Sequence, residues 1–194
     1  MSVTPSNAGR RQLLLIALVF FAPLVVAWLM YLGVIDWRPT SSSAHGELFD
    51  PALSLPPHEP EYLNKIYPDD FLRERWTLAY VGMTDCNSHC EQTLLVMRQV
   101  RMSLGKYADR IGLAAILPQD GRFPDALYPA FPNMEIVRAG SLAQVILASH
   151  QAQPGEWIYI IDPLGNLVMR FSNAADPRAI YNDLKRLLKL SRIG

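Results

Sequence analysis

"RWTLAYVGMTDCNSHCEQTLLVMRQVRMSLGKYADRIGLAAIL", Arg75 to Leu117, decides the fold. "RWTLAYVG" (Arg75 to Gly82) is a short β-rich run. "EQTLLVMRQVRMSLGKY" carries Leu95, Val96, Val100, Leu104 and Tyr107 at helical spacing, the stripe of an amphipathic helix. "IGLAAIL" (Ile111 to Leu117) is a continuous apolar run between Arg110 and Pro118, a buried strand. A strand, helix and strand in this order predict a parallel pair joined by a crossover helix.

The elements downstream extend that unit. "MEIVRA" (Met134 to Ala139) reads as a third strand. "SLAQVILASH" opens a helix, with Ser141 and Gln144 spaced as a capping box. "EWIYIIDPLGNLVMRF" is the clearest hairpin: Pro163 suits the second turn position, and Gly165 suits an exit with positive φ. Asp176-Pro177 then caps a last helix whose apolar stripe is Ile180, Leu184, Leu187 and Leu188. The expected architecture is α/β, a central sheet with helices on both faces, over residues 71–194.

Ahead of the domain, Leu13 to Ile35 contains no charged residue. About 20 apolar residues cross a hydrocarbon core as a helix, and Pro23 is tolerated there. A signal peptide has a shorter apolar core and a small-residue cleavage site, whereas this run ends among Trp28, Tyr31 and Trp37, side chains suited to a bilayer interface. Arg10 and Arg11 precede the span and Asp36, Arg38 and Glu47 follow it. That asymmetry keeps residues 1–12 in the cytoplasm and exports the rest. The two arginines lack the remainder of a twin-arginine signal. Residues 36–70, rich in Pro and Ser and without a period, read as an extended linker. His45 and His58 lie there and read as solvated. In a bacterium the domain then occupies the periplasm, where cysteines can form disulfides.

Across the chain 18 Lys+Arg balance 18 Asp+Glu, which excludes an electrostatic footprint for nucleic acid. Lys185, Arg186, Lys189 and Arg192 at the C-terminus complement a helix dipole. No glycine-rich phosphate loop and no Ser/His/Asp motif is present. Chemistry therefore falls on the two cysteines. Cys86 follows a strand and Cys90 sits one turn later, at a helix start that Thr84 or Asp85 would cap. A helix N-terminus favours thiolate, Cys86 above all, while an ionised Asp85 opposes it. Three chemistries stay open: a structural disulfide, which would close a small loop and stabilise little; a redox pair; and a copper site built on soft thiolates.

"LAYVGMTDCNSHC" and "WIYIIDPLGNLVMRF" resemble the strand-loop-helix and the later hairpin of Sco/SenC proteins. The resemblance spans about Trp76 to Leu190. It implies a thioredoxin-like fold behind one transmembrane helix, and delivery of copper to, or reduction of, the copper-site thiols of cytochrome c oxidase. Two positions depart from the family. Asn87 stands where Pro usually follows the first cysteine. Pro154 stands where the third copper ligand, a histidine, belongs. His150, four residues earlier, and His89, inside the motif, are the candidates to replace it. Thioredoxin-type reductases also place a cis-proline facing the cysteines, at about Glu156 here, with Pro154 just upstream.

The sequence thus predicts a single-pass protein of a bacterial inner membrane with a periplasmic thioredoxin-like domain. It would assist cytochrome c oxidase assembly through Cys86 and Cys90, by thiol-disulfide exchange or by copper handling with His150 or His89 as a third ligand. The partner would be an oxidase subunit or another assembly factor. The contrasting expectation is a non-catalytic scaffold for respiratory complex assembly.

Overall fold

The structure is a computed structural model that describes residues 7–33, 44–57, 60–64 and 71–193. Two compact units divide at Ser42/Ser43.

The first unit is one helix, α1 (Asn7–Tyr31), with Pro23 inside it. Gly9–Tyr31 is long and apolar enough to cross a membrane, with a mean hydropathy of 2.8. The expected span of 13–35 is shifted toward the N-terminus. Arginines are good helix formers, so hydrogen bonding runs on through Arg10 and Arg11. The far end stops in a turn at Gly33, whose φ of +70° suits a residue without Cβ. Trp37 and the other residues of 34–43 lie outside the described residues.

The second unit is one seven-stranded mixed sheet in the order β1 (Glu47–Ser54), β7 (Asn166–Ser172), β6 (Trp157–Ile161), β3 (Trp76–Val81), β4 (Ile111–Leu117), β5 (Met134–Arg138) and β2 (Glu61–Tyr62). Its centre is the expected crossover: β3 (Trp76–Val81) and β4 (Ile111–Leu117) pair in parallel through α2 (Ser88–Ser103). Every residue of both strands is buried, as a doubly covered parallel pair requires. β5 (Met134–Arg138) adds parallel to β4. After α3 (Gly140–Ala148), β6 (Trp157–Ile161) returns antiparallel to β3 and turns into β7 (Asn166–Ser172). The turn works as its residues predict. Gly165 takes φ +85°, and the Asp162 carboxylate accepts from the backbone N–H groups of Leu164 and Asn166 at 2.9 and 2.8 Å. The last helix, α4 (Pro177–Leu190), starts under Asp176, which accepts from Arg178 N–H at 2.9 Å.

Each sheet face carries its own apolar cluster. One joins Leu78, Tyr80, Ile158 and Ile160 to α2 (Leu94, Met97, Val100) and α4 (Ile180, Leu184, Leu188). The other joins Ala79, Val81, Tyr159 and Ile161 to α3 (Leu142, Ala143, Ile146). Strand side chains alternate between faces, so neighbours in sequence serve different layers.

Several sequence expectations are corrected. The stretch 36–70 is not a plain linker. β1 (Glu47–Ser54) pairs antiparallel with β7, and β2 (Glu61–Tyr62) with β5. A register shift between Leu48 and Leu53 breaks the alternation that would have marked β1 as a strand. Edge strands also tolerate a proline such as Pro51. Ion pairs fasten both edges, Arg170 to Glu47 at 2.6 Å and Arg138 to Glu61 at 2.9 Å. His45 is not simply solvated: its backbone N–H and that of Gly46 donate to Asp183 at 2.6 and 2.9 Å, and its ring meets the same carboxylate at 3.1 Å. His58 lies outside the described residues.

In α2 the buried face is Cys90, Thr93, Leu94, Met97 and Val100, while Leu95 and Val96 are partly exposed. Tyr107 falls in a 3-10 turn, Gly105–Arg110, past the helix. Ser141 caps nothing, because α3 begins at Gly140 with Ala139 as its N-cap residue.

Candidate functional site

The loop after β3 delivers the cysteines. Backbone hydrogen bonds hold it: Gly82 N–H donates to Ile116 C=O at 2.9 Å, and Arg122 N–H to Thr84 C=O at 2.6 Å. Asp85 forms an isolated bridge with Arg122 and does not cap α2. Asn87 does, since it is the residue directly before the first helical one. Its side-chain oxygen accepts from Cys90 N–H at 3.0 Å. The departure at position 87 therefore has a local role, because a proline there has no side-chain acceptor to offer.

Cys86 and Cys90 are joined as a disulfide with Cα atoms 5.3 Å apart. Their environments differ. Cys86, ahead of the cap, keeps 9% of its surface exposed, while Cys90 inside the first turn keeps 1%. Thiol exchange needs an approach to one sulfur, so reactivity follows exposure as well as acidity. Here Cys86 is the less deeply buried of the two. Beside it lies an open groove of about 690 Å³ lined by Met83, Thr84, Asp85, Asn87, Pro118, Gln153 and Pro154.

The far wall of that groove is built from the approach to β6. Gly155, at φ +87°, donates its N–H to Val81 C=O at 2.8 Å. A Cβ at Gly155 would stand 3.2 Å from the Tyr80 hydroxyl and 3.9 Å from Met83 Cε. Glycine thus lets the two segments meet. The Tyr80 hydroxyl beneath them is buried and has no hydrogen-bond partner among the described residues, and burial pushes its phenol up to about 12. Pro154 faces the loop, but its peptide bond is trans: among the described residues the cis bond is Asp50–Pro51.

The two candidate histidines separate. His89 is exposed beside the cysteines, and its Nε2 meets the Asn173 amide at 2.6 Å. The same amide donates to Gly155 C=O at 2.6 Å, so Asn173 ties the first turn of α2 to the groove wall. His89 is engaged rather than merely solvated. His150 is on the other face of the sheet. Its Nε2 meets the Tyr159 hydroxyl at 3.1 Å, and its ring packs edge-on against Phe49, Trp157 and Tyr159. Burial, then Arg170, lower the His150 pKa. Tyr159 belongs to the α3-side cluster and the cysteines to the α2-side cluster, so the sheet stands between His150 and the sulfurs. A copper centre completed by His150 does not fit this arrangement. Among the described residues no group of three His, Cys, Asp or Glu is placed to hold a metal. What remains is a disulfide pair in which Cys86 is the less buried half, an unpartnered phenol in the same cluster and an open groove lined by the neighbours of Cys86.

Residues 76–191 match the family described as "Transmembrane-like, thioredoxin-like, C-terminal domain", and residues 5–34 match "Transmembrane-like, N-terminal domain". No curated protein matches the chain. Among solved structures, copper-bound ScoI of Bradyrhizobium japonicum is 22% identical with a TM-score of 0.51, covering 69% of this chain and 98% of its own. Apo Sco1 from Thermus thermophilus is 18% identical with a TM-score of 0.55, covering 77% and 99%. Yeast Sco1 is 17% identical with a TM-score of 0.53, covering 71% and 96%. At these identities the likeness is one of fold, and it agrees with the thioredoxin-like architecture.

Proposed function

This chain belongs to the transmembrane-like, thioredoxin-like family, and we propose that it is a membrane-anchored thiol-disulfide exchange protein acting in cytochrome c oxidase assembly. The observation that carries the reading is the place of the pair: Cys86, 9% exposed between the groove-lining residues Asp85 and Asn87, is bonded to a Cys90 that is 1% exposed, at the junction of the central strand and α2. A structural disulfide gains little from a loop this small and has no need of an open groove lined by the residues on either side of Cys86.

In the reduced protein the Cys86 thiolate attacks a disulfide of the partner, forming a mixed disulfide and releasing one partner thiolate, which takes up a proton. Cys90, deprotonated in turn, attacks Cys86 and releases the second partner thiol. The partner gains two electrons and two protons, and the Cys86–Cys90 disulfide is the product. A dithiol reductant restores the pair. The amide ends at the start of α2 favour the thiolate at Cys86, and Asn87 keeps that helix start in place through both states.

The partner we propose is an oxidase subunit or assembly factor whose copper-site thiols must be reduced, as the likeness to Sco folds suggests. Copper itself would be cargo, held by the two sulfurs without His150. The anchor is α1, with Arg10 and Arg11 on the cytoplasmic side and the domain in the periplasm of a bacterial inner membrane.

A trapping experiment tests this. Cys90→Ser in cells should accumulate a partner joined to Cys86, released by dithiothreitol, and Cys86→Ser should not. If Cys86→Ser/Cys90→Ser cells keep full oxidase activity, exchange is ruled out and the scaffold reading takes its place.

A further inference from the structure

A side chain from the end of β7 ties down the start of α2. Asn173 directly follows that strand, and its backbone N–H donates to Glu156 C=O at 2.9 Å, so the β6–β7 ladder sets its position. Its amide nitrogen reaches two acceptors, Gly155 C=O and His89 Nε2, each at 2.6 Å. A carboxamide NH₂ has two protons to donate and accepts none, so one proton serves each bond and His89 Nε2 is the acceptor. Gly155 excludes the reversed amide, because the side-chain oxygen of Asn173 would then face a carbonyl oxygen at that distance.

These bonds join separate parts of the exchange site. His89 lies inside the loop that Cys86 and Cys90 close. Gly155 follows the groove-lining residues Gln153 and Pro154, and Val81 C=O holds its N–H at 2.8 Å. Asn87 also ties this turn, through Cys90 N–H, but it belongs to the same loop and moves with it. Asn173 is 84 residues from His89 in sequence and refers the turn to the sheet. Apolar packing of Cys90 and Leu94 holds the helix down as well, but such packing is not directional.

The tie matters most when the disulfide is open. In the bonded pair the covalent link itself keeps Cys90 beside Cys86. In the mixed disulfide Cys86 is bonded to another molecule, and non-covalent contacts alone hold Cys90 ready to attack. An intramolecular step gains from having its reacting atoms held in position beforehand. We propose that Asn173 is a positioning residue for this second step, holding the turn that carries Cys90 through His89 while Cys86 is engaged. The proposal rests on the exchange reading above. With glutathione as partner, the Cys90 thiolate attacks Cys86 Sγ, the Cys86–Cys90 bond forms and the Cys86–glutathione bond breaks. Glutathione leaves as a thiolate and takes up the proton that Cys90 released.

The full chain in lipid nanodiscs is equilibrated with reduced and oxidised glutathione, quenched in acid, alkylated with N-ethylmaleimide and read by intact mass. The ratio of mixed disulfide to Cys86–Cys90 disulfide reports how well Cys90 is held, and Cys90→Ser supplies the mass of the mixed form. Loss of one hydrogen bond corresponds to about a 2–10-fold change in such an equilibrium. His89→Leu and Asn173→Ala should each raise the ratio by about that factor. His89→Gln places an amide oxygen close to where the imidazole Nε2 stood, accepts the same N–H and should match the unaltered chain. Asp183→Ala weakens the anchoring of His45 and Gly46 instead and should leave the ratio unchanged. An unchanged His89→Leu, a His89→Gln as impaired as His89→Leu, or an equal rise in Asp183→Ala would each overturn the proposal. If Asn173→Ala does not fold, the two His89 variants decide. An unaltered chain that does not exchange with glutathione at all would overturn the exchange reading and this proposal together. Normal exchange with an unchanged His89→Leu would overturn the role of Asn173 alone.

Discussion

Reduction of the Cys86–Cys90 disulfide should weaken the domain modestly and leave it folded. The bond closes a loop of sequence separation 4. The chain-entropy relation for so short a loop gives about 2 kcal/mol at 25 °C. Little is added on the native side. Cys90 is 1% exposed in an apolar cluster, and a thiol behaves there as a small hydrophobe. The start of α2 is held independently by Asn87. For a unit of this size each kcal/mol shifts Tm by about 2–4 °C, so reduction should lower Tm by about 4–8 °C. The assay is thermal melting of the full chain in nanodiscs, followed by near-ultraviolet circular dichroism with and without dithiothreitol. Cys86→Ser/Cys90→Ser serves as the permanently open form. Collapse of the near-ultraviolet signal at 25 °C on reduction would refute the reasoning and make the bond a structural staple. A functional pair must survive in both states.

Three further outcomes follow from individual side chains. Tyr80→Phe removes a buried, unpartnered hydroxyl and should stabilise the protein by about 1–2 kcal/mol at pH 7 in urea unfolding. Because the folded phenol is pushed up to about 12, its ionisation leaves stability untouched below about pH 10. The unaltered protein then loses stability as pH rises from there toward 12, so the advantage of Tyr80→Phe should widen in that window; a destabilised Tyr80→Phe would reveal a hidden partner. Asp183→Ala strands the N–H groups of His45 and Gly46 and should cost about 3 kcal/mol, with faster amide exchange in β1 as the specific sign. The His150 ring should titrate below 6.5 by NMR, because burial and then Arg170 disfavour its cation. Its contribution to stability is thus present above the unfolded pKa and is lost as pH falls through the folded one. His150→Ala should leave Cu(I) affinity and glutathione exchange at Cys86 unchanged, and a change in either would mean that His150 reaches the sulfurs.

What is legible in the sequence is local. The apolar run of α1, the Asp162–Gly165 turn, the Asp176-Pro177 cap and the crossover through α2 each announce themselves within a few residues. Backbone sterics and side-chain capping act over that range. The cysteine pair is equally legible, because spacing and a strand-to-helix junction suffice to bring two sulfurs together. The edge strands are not. Glu47–Ser54 and Glu61–Tyr62 owe their conformation to β7 and β5, partners distant in sequence; the first is interrupted by a register shift and Pro51, and the second is only two residues long. The cap of α2 is Asn87 rather than Thr84 or Asp85, because the first helical residue is set by how α2 docks on the sheet.

The sequence by itself determined a membrane-compatible helix, an α/β domain and a dithiol at the end of its central strand. Only the tertiary structure decided which groups share the dithiol's side of the sheet. Strand alternation sends Ile158 and Ile160 toward the cysteines and Trp157 and Tyr159 away from them. His150 packs with the second set, although it lies only four residues from the expected ligand position. A sheet one residue thick is enough to separate them.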